Sequence, residues 1–320
     1  MIKIVEVGPR DGLQNETATV PIDVKVAFVD ALSGTGVSEI EVSAFVSPRL
    51  VPQLSDADEV FRRVSRHDGV IYSALVPNEK GLERAIAAEV DKVSVFTAAS
   101  ETFNRKNINK TIESSIQIFR PLVKRTHRLG LPVRGYVSTA FWCAFEGKIS
   151  PNTVCEVVKR LCDIGVDEVS ISDTIGKATP EEVTRLLDLL LPVISSEKIA
   201  MHFHDTYGRG VENVLASWSH GIRIFDASAG GIGGCPFAPG ATGNVATESV
   251  VKALQSKGEA KSIDLKKLLQ ARRLLDPFLV EQRRTLPDGG SNTCATCEFF
   301  KDNVCCGRNQ QDWGQTTASN

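Results

Sequence analysis

The triplet His202-Phe203-His204 carries two imidazoles two positions apart. On a β-strand both point to one face and can share a cation. Asp205 follows at once, and Asp11 and Asn244 are the best placed sources of oxygen ligands from elsewhere in the chain. Two imidazoles with carboxylate and amide oxygens suit Mg2+ or Mn2+ with open coordination positions, and Zn2+ is chemically allowed as well.

Arg10 precedes Asp11 within Gly8-Pro9-Arg10-Asp11-Gly12, where glycine and proline favour a tight turn. A guanidinium fixed in such a turn can stabilise developing negative charge, although neighbours of opposite charge are more often a simple surface ion pair. Glu41 is a candidate to hold that guanidinium, the alternative being a salt bridge without catalytic purpose. Gly230 to Pro236, GGIGGCP, is loop by any reading. It lacks the Walker lysine, so a phosphate cradle is a weak interpretation. As a mobile lid it would deliver Cys235 as an acid–base group, and inert packing of that thiol is equally open.

These residues need elements to position them. Short β-branched runs recur at Ile2 to Val7, Glu39 to Val42, Val70 to Leu75, Lys92 to Phe96, Val133 to Val137, Glu168 to Ser172, Ile199 to Phe203 and Ile224 to Asp226. Helical patterns lie between them. Ser150-Pro151 opens one with Val154, Val157, Val158 and Leu161 on one face, and Thr179-Pro180-Glu181-Glu182 combines a capping box with proline at the first helical position. Strands alternating with helices run parallel, and eight such units predict an α/β fold, a (β/α)8 TIM barrel, with an open doubly wound sheet as the structural alternative. Arg10, Asp11, Glu41, Asp173, Thr174, His202, His204 and Cys235 all fall at or just after C-terminal strand ends, which converge on one face of a barrel. Barrel interiors are mostly filled by branched aliphatics, so paired histidines there favour a metal site over mere filler.

After Asp226 the pattern changes to a glycine-rich loop and then C-terminal helices over Thr247 to Leu254 and Asp264 to Phe278, the second with Leu265, Leu268, Leu269 and Leu275 as its stripe. The expected division is a barrel with its helices over 1–280, followed by a cysteine-rich, polar and mobile extension over 281–320. Its Cys294, Cys297, Cys305 and Cys306 match no strong zinc spacing.

The 37 basic residues against 39 acidic ones, without a basic run, give no support to a nucleic-acid partner. The longest apolar stretch, Leu186 to Ile194, is interrupted by Asp188 and Pro192, so no membrane span is expected. MIKIVEVGPRDG carries no legible export or organelle signal, and cysteines dispersed through apolar segments read as reduced thiols, so the expected compartment is the cytoplasm.

Five segments, VEVGPRDGLQNE at 5 to 16, IEVSAFVSPRLVPQ at 40 to 53, SDTIG at 172 to 176, HFHDTYGRG at 202 to 210 and GGCPFAPGATGNVATE at 233 to 248, resemble the 3-hydroxy-3-methylglutaryl-CoA lyase family. The likeness runs from residue 1 to about 280. It implies a divalent metal, Mg2+ or Mn2+, held by Asp11, His202, His204 and Asn244. Arg10 and Glu41 would sit beside it, with Asp173 as companion base, Cys235 as a mobile acid–base residue, and Arg10, Ser170, Thr174 and Trp142 around the substrate. It further implies an acyl-CoA substrate cleaved to acetyl-CoA and acetoacetate, as in leucine degradation and ketone-body formation, and a homodimer or other homo-oligomer. More distantly the scaffold resembles isopropylmalate-type synthases, which usually carry a further regulatory domain.

Four positions depart from the family pattern, which usually has lysine at Thr17, serine at Ala44, glycine at Trp142 and proline at Ala144. Trp142 is expected at the barrel mouth, where an indole in place of a hydrogen excludes volume. Ala44 removes a hydroxyl that can hold the substrate's far carboxylate. An altered acyl pocket brings in citramalyl-CoA, cleaved to acetyl-CoA and pyruvate, as the alternative substrate.

Overall fold

The β-branched runs form eight strands: β1 (Lys3–Glu6), β2 (Glu39–Ala44), β3 (Ile71–Leu75), β4 (Lys92–Ala98), β5 (Val133–Ser138), β6 (Glu168–Asp173), β7 (Ile199–Phe203) and β8 (Ile224–Ala227). In the computed structural model, which describes residues 1–14, 16, 18–233 and 243–279, they close into a parallel barrel. Each strand pairs with its sequence neighbours, and β1 closes the ring on β8 with Val5 opposite Asp226. The register of β2 against β3 shifts between Glu41 and Ser43, a local irregularity at the end that carries Glu41.

Alternation along each strand separates two environments. Ile40, Val42, Val169, Ile171, Met201 and Phe203 join the large apolar layer beneath the surrounding helices. The other face is unusual for a barrel, since buried Glu39, Glu41, Lys92, Arg134, Tyr136, Ser170, His202 and Asp226 accompany a small cluster of Val5, Val7, Ala200 and Ile224. Polar interior residues carry a cost unless paired, and their pairing defines the site described below.

The helix Pro151–Asp163 buries Val154, Val157, Val158 and Leu161, each contributing about 1.5–3 kcal/mol on full burial. Its start is set by Pro151, because the Ser150 side chain makes no capping bond. Thr179 does make one to Glu182, and the reciprocal Glu182 bond completes the capping box of Pro180–Leu190. The C-terminal pattern over Asp264 to Phe278 is not one helix. Asp264 caps Leu265–Arg273, and a 3-10 turn at Asp276–Phe278 follows because Pro277 has no N–H to continue the ladder. Near the site, Gly176 has φ +68, and a Cβ there would lie 2.8 Å from the Thr206 amide nitrogen, so only glycine fits the turn after β6. No helix among the described residues is long and apolar enough to cross a membrane.

Candidate metal centre

The carbonyl of Val7, immediately after β1, accepts from the amides of Arg10, Asp11 and Gly12 at 3.2, 2.7 and 3.1 Å. This wraps Gly8–Gly12 into a single π-helical turn, with Pro9 placed where no donor is needed. Glu6 staples the turn from below: its Oε1 accepts from Gly8 N at 2.8 Å and Ala229 N at 2.9 Å, and its Oε2 accepts from the Thr247 hydroxyl at 2.6 Å. Burial pushes the Glu6 carboxyl up to about 8.

The turn aims Asp11 at the two histidines. Asp11 Oδ2 lies 3.9 Å from His202 Nε2 and 4.0 Å from His204 Nε2. Two ligands about 2.1 Å from one cation can be no more than about 4.2 Å apart, so each separation is within reach of a shared ion. Among the described residues, Asp11, His202 and His204 form a group whose ligand atoms all lie within 4.8 Å of one another. Asn244 joins them because residues 243 to 246 run along the end of β7: His204 bridges Asn244, and Val245 N donates to Phe203 O at 3.0 Å. The Asn244 amide nitrogen donates to Asp11 Oδ2 at 2.9 Å and to Ile232 O at 3.2 Å. Its amide oxygen is buried with no partner among the described residues.

Arg10 is fixed on two sides. Its Nε donates to Glu41 Oε2 at 2.5 Å and its Nη1 to Asp11 Oδ1 at 2.6 Å. Tyr136 supports the arrangement: its hydroxyl donates to the same Glu41 oxygen at 3.1 Å, and its ring lies 5.2 Å from the Arg10 guanidinium. Burial alone would make the guanidinium easier to deprotonate, but Glu41 and Asp11 outweigh it, so Arg10 stays charged. Burial would likewise raise the Asp11 carboxyl, yet Arg10 and the imidazoles hold it well below the usual carboxylate range. Burial, reinforced by the neighbouring His202, pushes the His204 imidazole down to about 4, which leaves it neutral and able to ligate at neutral pH.

A second chain of ion pairs fills the barrel below. Lys92 bridges Glu39 and Glu168 at 2.9 Å each, and Arg134 pairs with Glu168 and Asp226. With Asp11, Glu41 and Arg10 included, five carboxylates face three fixed cations, a surplus of two negative charges. A divalent ion balances that surplus, and the partnerless Asn244 oxygen supplies a ligand atom of the right kind. The residues therefore fit a divalent cation.

The HMGL-like family model matches residues 1–275. The chain belongs to the HMGL-like family. It is 47% identical over 270 residues to the human 3-hydroxy-3-methylglutaryl-CoA lyase, cytoplasmic, covering 84% of this chain and 73% of that protein. The HMG-CoA lyase structure from Brucella melitensis superposes with a TM-score of 0.85 at 45% identity, covering 87% of this chain and 98% of that one. An HMG-CoA lyase from Acinetobacter baumannii in complex with coenzyme A and 3-methylmalate gives 0.83 at 41%, covering 87% and 91%.

Within this HMGL-like site the remaining expected residues fall in different places. Asp173 shares its strand face with Val169 and Ile171, away from Ser170, and its two oxygens accept from Lys177 N at 3.1 Å and Ala178 N at 2.9 Å. Burial pushes its carboxyl up to about 7. Thr174 Oγ1 accepts from Thr139 N at 2.7 Å, which ties the loop after β6 to that after β5. Ser170 is wholly buried and donates to Asp226 Oδ2 at 2.9 Å. Asp205 caps the next helix through Gly210 N at 2.7 Å. Trp142 lies in a short hairpin, Trp142–Cys143 with Gly147–Lys148, where its Nε1 donates to Glu182 Oε2 at 3.1 Å and Lys177 Nζ sits 3.9 Å from its ring. Ala44 is buried at the end of β2. Cys235, Thr17 and the tail cysteines lie outside the described residues.

Four residues of the HMGL-like site were not singled out from the sequence: Arg134 and Tyr136, which lie within β5, and Glu6 and Asp226, which lie at or next to the ends of β1 and β8. The available signal was alternation, because VRGYV and IFDA place charged and phenolic side chains at buried strand positions where aliphatics are the rule.

Proposed function

We propose that this chain cleaves 3-hydroxy-3-methylglutaryl-CoA to acetyl-CoA and acetoacetate, using Mg2+ or Mn2+ held by Asp11, His202, His204 and Asn244. The observation that carries the reading is the meeting of Asp11, His202 and His204 within 4.8 Å, beside an Arg10 guanidinium locked by Glu41 at 2.5 Å. The relatives' names and the Acinetobacter baumannii complex, with its thiol carrier and branched hydroxy diacid, support the substrate class.

A divalent ion bound there supplies Lewis acidity that orients the substrate and lowers the pKa of its tertiary hydroxyl. Asp173, with its carboxyl near neutrality but on the strand face away from Ser170, takes the hydroxyl proton in this reading by way of a bridging water, while its bonds to Lys177 and Ala178 hold the loop beside it. As the bond between C2 and C3 breaks, charge moves to the thioester oxygen. Arg10 stabilises that enolate because Glu41, Asp11 and Tyr136 have already fixed its orientation, leaving little reorganisation for the reaction itself. Cys235 delivers the proton that turns the enolate into the acetyl methyl group. Trp142 bounds the acyl pocket with Thr174, and Ser170 acts from beneath by holding Asp226. We place the activity in residues 1–280, with 281–320 as an extension, in a cytoplasmic homo-oligomer; relatives carry both cytoplasmic and mitochondrial names.

Purified protein with Mg2+ or Mn2+ and a thiol reductant, offered 3-hydroxy-3-methylglutaryl-CoA and both citramalyl-CoA enantiomers, tests the assignment. Acetoacetate as the dominant product is expected. Dominant pyruvate release would replace the acyl group in this reading while keeping the chemistry.

A further inference from the structure

Asp226 lies on β8 directly opposite His202 on β7. It is fully buried, and every contact of its carboxylate is with a group that can donate. Oδ1 is paired with Arg134 Nη2, while Oδ2 accepts from Ser170 Oγ at 2.9 Å and faces His202 Nδ1 at 3.3 Å. Arg134 is held in turn by Glu168 and by the Tyr136 ring, 4.9 Å away. His204 has no counterpart to this arrangement among the described residues, where its Nδ1 is buried without a partner.

We propose that Asp226 is the positioning residue of the metal centre, fixing His202, and not His204, with its proton on Nδ1 and its Nε2 lone pair turned toward Asp11. An ionised carboxylate only accepts, so the imidazole nitrogen facing it must be the protonated one. The separation of 3.3 Å is long for a neutral N–H···O bond, and the ionised acceptor gives it weight. Arg134 matters because its guanidinium is paired directly with Oδ1, a fixed positive charge that favours the ionised form of the buried carboxylate. The two histidines are thus unequal ligands, one prepared before the metal arrives and the other oriented by it. This inference rests on the reading of His202 as a ligand and adds the residue that makes it one.

Asp226→Asn is the informative variant. Arg134 has only donors, so it captures the oxygen of the introduced amide and leaves the NH2 group facing His202 Nδ1. That nitrogen must then accept, which drives the proton onto Nε2, the atom needed for the metal. The chain has five histidines, few enough for their ring 15N signals to be resolved by NMR in metal-free protein, with His202→Ala and His204→Ala providing assignments. The expected results are a wild-type His202 protonated on Nδ1, a reversed tautomer in Asp226→Asn, and Mn2+ affinity lower by about 10–100-fold, the scale of losing an outer-shell partner. A wild-type His202 protonated on Nε2, or an unchanged Mn2+ affinity in folded Asp226→Asn, would overturn the proposal. Should that variant not fold with Arg134 unpaired, the wild-type tautomer decides, together with Mn2+ affinity in the double variant Arg134→Met, Asp226→Asn. Wild-type protein that takes up no Mn2+ would remove both the metal reading and this inference, whereas Mn2+ bound equally by wild type and variant removes the inference alone.

Discussion

Asn244 donates its amide hydrogen to Asp11 Oδ2 at 2.9 Å while its own amide oxygen stays buried and without a partner among the described residues. One side chain thereby orients a candidate ligand and presents another. Asn244→Ala and Asp11→Asn should each weaken Mn2+ binding by about tenfold or more, since an unsatisfied polar atom or a lost charge remains in a buried site. Calorimetric or EPR titration of Mn2+ checks this, and affinities equal to wild type would exclude both residues from the ligand set.

Arg10 is held by Glu41 and Asp11 before any substrate arrives. Arg10→Gln should lower kcat by about a hundredfold or more, the loss seen when a preorganised donor to a developing oxyanion is removed, with a smaller change in KM. Steady-state kinetics at saturating metal measures it. Near-normal kcat would take the guanidinium out of the mechanism.

The barrel and most of this site were legible because strand ends are punctuated by glycine, proline and polar residues, and because a two-residue spacing fixes the facing of His202 and His204. Glu41 was found from its place at a strand end, and its bond to Arg10 follows from the converging geometry of β1 and β2. The interior chain Glu39–Lys92–Glu168–Arg134–Asp226 was not found, since ion pairing between strands up to 92 residues apart depends on closure and register, which no local pattern encodes. The C-terminal helix was read too long: its leucine stripe runs to Leu275, but the helix ends at Arg273 and a 3-10 turn containing Pro277 follows.

Glu6 titrates at about 8 in the folded protein because burial disfavours its charge, against 4.5 as its ordinary value. The folded state therefore holds this proton more tightly. The group's contribution to stability is fully present below about pH 4.5 and is lost progressively as pH rises through about 8. Glu6→Gln keeps an acceptor for Gly8 and Ala229 and a donor for Thr247, so the variant should fold and show a flatter decline of Tm between pH 5 and 8 than wild type. Thermal unfolding across that range checks it, and parallel curves for the two proteins would mean that Glu6 does not carry the dependence.

Trp142 is pinned by Glu182 and capped by Lys177, so its indole is held in one orientation, as the proposed pocket wall requires. Trp142→Gly should shift the ratio of kcat/KM toward longer acyl groups by about 1–3 kcal/mol, the worth of a methylene-sized change in an apolar pocket. Competition between 3-hydroxy-3-methylglutaryl-CoA and a homologue one carbon longer gives the ratio directly. An unchanged ratio with a lowered Tm would make the indole a strut between the loops after β5 and β6.

The central claim is that a divalent ion at Asp11, His202, His204 and Asn244 enables carbon–carbon cleavage of 3-hydroxy-3-methylglutaryl-CoA. Protein stripped with chelator and titrated back with Mn2+ while acetoacetate release is followed tests this most directly. The account predicts negligible release from stripped protein and a rate that climbs with added metal until one ion per chain is bound, with no recovery in His202→Ala. Full release by the stripped wild type, or no release at saturating metal, would contradict it.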